Sequence, residues 1–205
     1  MVVTVHPVDE VHPIEQESYR ILEGMLDLSA LPPLSRAVVA RVAHATADLD
    51  LARSMVVEEP SLEAAVEALA HHAPVVADVE MVAAGISGVE VSCFLPRVGR
   101  GERPTRSAAA MRLAAEAHPD GAIFVVGCAP TALAALVELG RAGAVDPVLV
   151  VGMPVGFVGA AEAKAALRET TLPAVSNVGD KGGSAAAAAV LNALVRVARQ
   201  GSGRA

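Results

Sequence analysis

The sequence predicts an α/β fold: a three-layer, flavodoxin-like parallel sheet with helices on both faces and a small hairpin extension. Two observations carry this. From about residue 61 short unbroken apolar runs alternate with alanine-rich helical patterns, and loops bearing glycine follow the later runs. Continuous apolar runs mark strands buried on both faces, and regular strand-helix alternation builds parallel sheets with right-handed crossovers.

The elements follow in order. Ile14, Ile21, Leu22 and Met25 recur at helical spacing behind Pro13, so a first helix is expected over residues 14–26. A second begins after Pro32 and Pro33, with Leu34, Val38, Val39 and Val42 as its apolar residues. Apolar runs at 74–79, 122–126, 147–151 and 173–176 follow, the last three reading as buried strands. Helices are expected over 107–117, 131–141, 160–168 and 184–199. Residues 89–95 read as a strand leading into a polar loop or hairpin that carries Arg97, Arg100 and Arg103.

The chain of 205 residues is read as one domain, with loose tails at about 1–12 and 200–205. Hydrophobic residues make up 53% and aromatic residues 2%, so the core must be aliphatic. A formal net charge of -7 with so few rings lacks the basic, stacking surface that nucleic acid requires. No apolar run reaches the length of a membrane span, and no cationic-then-apolar leader opens the sequence, so a cytoplasmic protein is expected. Cys93 and Cys128 have no Cys or His at ligand spacing and are expected to be buried thiols.

In open parallel sheets ligands bind outside the carboxyl ends of the strands. Three loops with glycine sit there: residues 127–131 with Pro130 and Thr131, residues 152–159 with Met153 and Gly156, and Lys181, Gly182, Gly183, Ser184. Backbone N–H groups of such loops suit carboxylate or phosphate oxygens, although each glycine could equally serve only to turn the chain. Neither a Walker loop nor a dinucleotide fingerprint is present, which removes support for ATP and NAD. Thr105, Arg106 and Ser107 open a helix and could clamp a carboxylate or simply cap it.

Among six histidines, His44 alone lies inside an apolar helical run, three residues after Arg41. That spacing puts a cation and an imidazole on one face of a helix, where they could serve one ligand or a structural network. No hydrolase motif accompanies them. An isomerase or a binding protein remains.

Taken together, these motifs resemble the precorrin-8X and cobalt-precorrin-8 methylmutases of cobalamin biosynthesis. The resemblance runs from Ile-Glu-Gln-Glu-Ser-Tyr-Arg-Ile at 14–21, through Arg-Val-Ala-His-Ala-Thr-Ala-Asp-Leu-Asp at 41–50 and Asp-Val-Glu-Met-Val at 78–82, to Thr-Arg-Ser-Ala at 105–108. It continues with Ala-Pro-Thr-Ala-Leu at 129–133, the specific Gly-Met-Pro-Val-Gly-Phe-Val-Gly at 152–159, and Lys-Gly-Gly-Ser at 181–184. It implies an isomerase that moves a methyl group from C11 to C12 of a tetrapyrrole, giving hydrogenobyrinate or its cobalt equivalent, cobyrinate. By the same resemblance His44 exchanges the proton, and Ser18 and Arg41 contact substrate. A looser analogy adds Thr105, Arg106, Ser107 and the glycine loops. The resemblance further implies a homodimer with its site near the interface and no cofactor, any cobalt belonging to the substrate.

The sequence departs from the family at Val178-Gly-Asp180, where arginines are usual, and at Cys128, where asparagine is. Two rival readings differ in class: a corrinoid carrier that kept the pocket without turnover, and a flavodoxin-like protein binding a phosphorylated ligand such as flavin mononucleotide.

Overall fold

A computed structural model describes residues 12–202. Its helices are α1 (Pro13–Met25), α2 (Pro33–Thr46), α3 (Leu49–Arg53), α4 (Glu59–Ala70), α5 (Glu80–Gly85), α6 (Arg106–Ala117), α7 (Pro130–Arg141), α8 (Ala160–Arg168) and α9 (Ser184–Ser202). The strands are β1 (Met55–Val56), β2 (Val75–Ala77), β3 (Ser92–Cys93), β4 (Ile123–Val126), β5 (Leu149–Gly152) and β6 (Ala174–Asn177). Together they form one sheet in the order β1-β6-β5-β4-β2-β3.

The five strands from β2 onward are parallel, and their order is that of the flavodoxin-like doubly wound sheet. Side chains alternate between faces along each strand. Ile123, Val125, Leu149 and Val151 pack with α2, α4, α5 and α9 on one face. Phe124, Val126 and Val150 pack with α6, α7 and α8 on the other. A smaller cluster joins Leu22 and Leu26 of α1 to Val39 and Ala43 of α2, so α1 lies outside the three layers. Alanine supplies much of both helical layers and lets them lie close to the sheet: a Cβ on Gly127 would meet Ala187, Val82 and the Ser184 backbone within 3.0 Å.

Differences from expectation are local. The segment expected to form a loop or hairpin makes the short parallel strand β3 and a 3-10 turn at Leu95–Arg97, with no hairpin. An unforeseen strand, β1, pairs antiparallel with β6, because two residues are too short for a periodic signal. The tail expected from residue 200 continues α9 to Ser202, and His12 caps α1 through its Nδ1, which accepts the Ile14 N–H. The rest of both expected tails lies outside the described residues. Cys128 is exposed and Cys93 partly so, against the expected burial, because both stand at strand ends on the rim of the sheet.

Candidate functional site

The pairing of α1 with α2 creates the most chemically loaded contact. Glu15, Ser18 and Tyr19 occupy one face of α1 at helical spacing, and Arg41 and His44 occupy the facing side of α2. Arg41 Nη1 donates to Glu15 Oε1 at 3.1 Å. The Ser18 hydroxyl lies 2.9 Å from His44 Nδ1. The Tyr19 ring stacks on the imidazole, with centroids 4.9 Å apart and planes 16° from parallel. The imidazole is partly exposed. With Nδ1 engaged by the hydroxyl and one ring face covered by the phenol, Nε2 is the nitrogen left for a ligand.

Both ends of α2 are anchored. At its start, Leu34 and Ser35 each donate a backbone N–H to Glu59 at 2.8 Å, and the Ser35 hydroxyl donates at 2.6 Å. These are first-turn donors that a helix starting with Pro33 cannot satisfy internally. Burial of Glu59 works against its charge, yet the Ser35 hydroxyl and the two N–H groups hold its pKa below the usual range. Just past the other end, Asp48 accepts the Leu51 N–H at 2.9 Å and pairs with Lys181 at 2.8 Å. That pairing lowers the Asp48 pKa and raises that of Lys181. The third glycine loop is thereby docked beside the helix end that carries His44.

The glycine loops do converge at the carboxyl edge. Gly183 donates its N–H to the Met153 carbonyl at 2.8 Å, and Gly156 donates to the Asp180 carbonyl at 3.0 Å. Gly182 has φ +149° and faces the Met153 carbonyl so closely that a Cβ would collide with its oxygen. The side chain of Met153 is fully buried, so this residue can offer a ligand only its backbone. At the switch point between β2 and β4, buried Asp78 accepts the N–H groups of Gly127, Cys128 and Ala129 at 3.1, 2.9 and 2.8 Å. Burial raises the Asp78 pKa, an effect those three donors oppose. Three donors that might have met an anion are therefore already occupied.

Thr105 caps α6 by accepting the Ala108 N–H at 3.1 Å, and its hydroxyl lies 2.7 Å from that of Thr131. Arg106 spends its guanidinium on the Val98 and Leu95 carbonyls at 3.2 and 3.1 Å, so it braces the preceding loop. Ser107 and Pro130 are partly buried beside them, and Ser184 opens α9. Among the described residues no hydrogen bond or ion pair joins the Thr105 and Thr131 pair to His44. The structure thus unites Ser18, Arg41 and His44, unites the loops at 153–156 and 181–184, and leaves Thr105, Arg106, Ser107 and Thr131 as a separate group.

Arg41 also lines a cleft of about 550 Å³ between α1, α2 and α9, with Glu15, Tyr19, Arg196 and Arg199. Glu15 lies 3.7 Å from Arg196 as well, bridging two guanidiniums. Sequence reasoning did not single out Glu15, Tyr19, Asp78, Asp48 or the α9 arginines as site residues. Glu15, Tyr19, Asp48 and Asp78 stand within motifs already noted, whereas Arg196 and Arg199 in α9 carry no local signal. Among the described residues no cluster of His, Cys, Asp or Glu could hold a metal ion, and no helix is long and apolar enough to cross a membrane.

Comparison with known proteins gives a consistent picture. The family model for precorrin-8X methylmutase matches residues 13–197. A cobalt-precorrin-8 methylmutase of Methanocaldococcus jannaschii is 40% identical over 167 residues, covering 79% of each chain. A precorrin-8X methylmutase of a Sinorhizobium species is 39% identical, covering 89% of this chain and 93% of its own. The crystal structure of the precorrin-8x methyl mutase from Thermus thermophilus superposes with a TM-score of 0.82 at 40% identity, over 93% of this chain and 99% of that one.

Proposed function

The chain belongs to the precorrin-8X methylmutase family, isomerases of cobalamin biosynthesis, and from that membership we propose that it moves a methyl group from C11 to C12 of precorrin-8X or its cobalt-containing counterpart. The observation that carries the reading is the placement of His44 between the Ser18 hydroxyl and the Tyr19 ring, with Nε2 free to meet a ligand.

The chemistry fits that placement. An isomerisation leaves the molecular formula unchanged, so a proton given to the macrocycle as the methyl group migrates is returned when conjugation is restored. One imidazole can perform both transfers, and imidazole is the side chain suited to doing so near neutral pH. Ser18 fixes the ring orientation and tautomer. Tyr19 holds the ring plane. Arg41, with Arg196 and Arg199 in the adjoining cleft, supplies cations to the acidic side chains of the tetrapyrrole. In this reading the glycine loops add backbone donors, the enzyme has no cofactor of its own, any cobalt arrives with the substrate, and the reaction takes place in the cytoplasm.

The same reading makes the protein a homodimer with its site near the interface. Supporting it, Ile14, Ile21 and Met25 form an exposed apolar stripe on α1, the helix that carries Ser18 and Tyr19, and Phe157 and Val158 are 96% and 89% exposed on a glycine loop. Light scattering after size exclusion should give twice the chain mass.

The deciding experiment incubates the protein, and separately His44→Ala, with enzymically prepared precorrin-8, metal-free and cobalt-loaded, while the visible spectrum is followed. Conversion by the parent and its loss in the variant are expected. Binding of either substrate by the parent without conversion would replace the mutase with a corrinoid carrier.

A further inference from the structure

Lys164 is the one fully buried lysine among the described residues, with no solvent exposure of its side chain, and nothing in the chemistry above uses it. An ammonium sealed from water is costly unless its protons are matched to acceptors. Here the acceptors belong to the site loops. Nζ donates to Asn177 Oδ1 at 3.1 Å and to the Lys181 carbonyl at 2.5 Å. Asn177 Nδ2 donates to that same Lys181 carbonyl at 3.0 Å and to the Val178 carbonyl at 3.2 Å. Arg168, one turn further along α8, donates to the Asn177 carbonyl at 3.0 Å and to Ser176 Oγ at 3.1 Å.

The geometry assigns Lys164 a positioning role: its buried ammonium clamps the Lys181 carbonyl to α8 and so fixes the loop at 181–184 against the loop at 152–159 in the arrangement that meets substrate. This rests on the methylmutase reading for what the loops bind. The mechanical chain is continuous. α8 begins directly after the Gly159 that ends one loop, its Lys164 holds the carbonyl that precedes Gly182, and Gly182 and Gly183 lie against the Met153 carbonyl of the first loop. The two loops are thus locked at both their backbones. Where the family usually places arginines, this chain has Val178 and Asp180. The buried cation beneath the loop, with Arg168 beside it, leaves positive charge under a rim that has lost it. Burial and Arg168 disfavour the ammonium, while Asp180 supports it.

The test compares the parent with Lys164→Met, which keeps the shape and removes the donor. Backbone hydrogen exchange at pH 7 on the ligand-free proteins should show the Gly183 and Gly156 amides at least tenfold faster in the variant, with Phe124 and Val125 of β4 unchanged. Hydrogenobyrinate titrated into each protein should bind the variant about tenfold more weakly, with the thermal midpoint within a few degrees of the parent. Unchanged exchange at Gly183 and Gly156 overturns the inference, as does faster exchange spread equally through β4, which would mark a merely structural lysine. Failure of the parent to bind hydrogenobyrinate would count against the methylmutase reading, while the exchange measurement would still decide the role of Lys164.

Discussion

The Ser18 hydroxyl stands 2.9 Å from His44 Nδ1, joining α1 to the last turn of α2 and tying the orientation of the imidazole to the docking of a second helix. Ser18→Ala leaves the ring stacked on Tyr19 but frees its tautomer. Turnover should fall by about tenfold with substrate binding little changed, whereas His44→Ala should cost the 10²-fold to 10⁴-fold typical of a lost general acid-base group. Steady-state rates on precorrin-8 measure both. Equal losses in the two variants would show that the hydroxyl does more than orient the ring.

Glu15 bridges Arg41 and Arg196 in the cleft and so occupies the cations assigned to the acidic tetrapyrrole. Partly exposed pairs of this kind are worth at most about 1 kcal/mol. Glu15→Gln should therefore tighten binding of hydrogenobyrinate up to about fivefold at low salt, with the gain shrinking as salt rises. Weaker binding would mean that Glu15 positions Arg41 for the ligand.

The Glu59 carboxylate caps the start of α2, and its pKa is lowered in the fold. A group with a depressed folded pKa contributes stability above its unfolded value, near 4.5, that is lost as pH falls through the folded pKa. Glu59→Gln should cost about 1 kcal/mol at pH 7, as loss of a helix cap does, and the deficit should close in acid. Urea midpoints across that range provide the check.

Lys164 gives the opposite signature. Burial, with Arg168 nearby, lowers its pKa from 10.5 to about 8. Between those values the unfolded chain keeps a proton that the folded chain has released, so the lysine's contribution to stability rises with pH across that window. The parent should gain on Lys164→Met from pH 7.5 to 9.5 in urea unfolding. A constant difference would mean that the folded protein keeps this lysine charged throughout.

The order and type of most elements were legible in the sequence for a direct reason: strands buried on both faces are written as unbroken apolar runs, and alanine-rich helices with proline at their starts are written as periodic patterns. The face shared by Arg41 and His44 was legible too, because a spacing of three on a helix is a local fact. What Glu15, Ser18 and Tyr19 do for that face was not, since it depends on α1 crossing α2. Burial of aliphatic side chains positions α1, and the sequence does not state which helices those side chains meet.

The same division separates the glycine loops. Composition places Gly182 and Gly183 at a strand end, where a ligand can approach. Only the tertiary structure shows that Gly182 sits against the Met153 carbonyl and that Asp78 already holds three loop N–H groups. It also turns Lys164, on a helix that reads as a partly charged surface element, inward beneath the loop at 181–184. Periodicity records which residues are apolar, so it marks the core. A polar side chain goes inside only where an acceptor from a distant part of the chain is waiting, and that pairing exists only once the chain has folded.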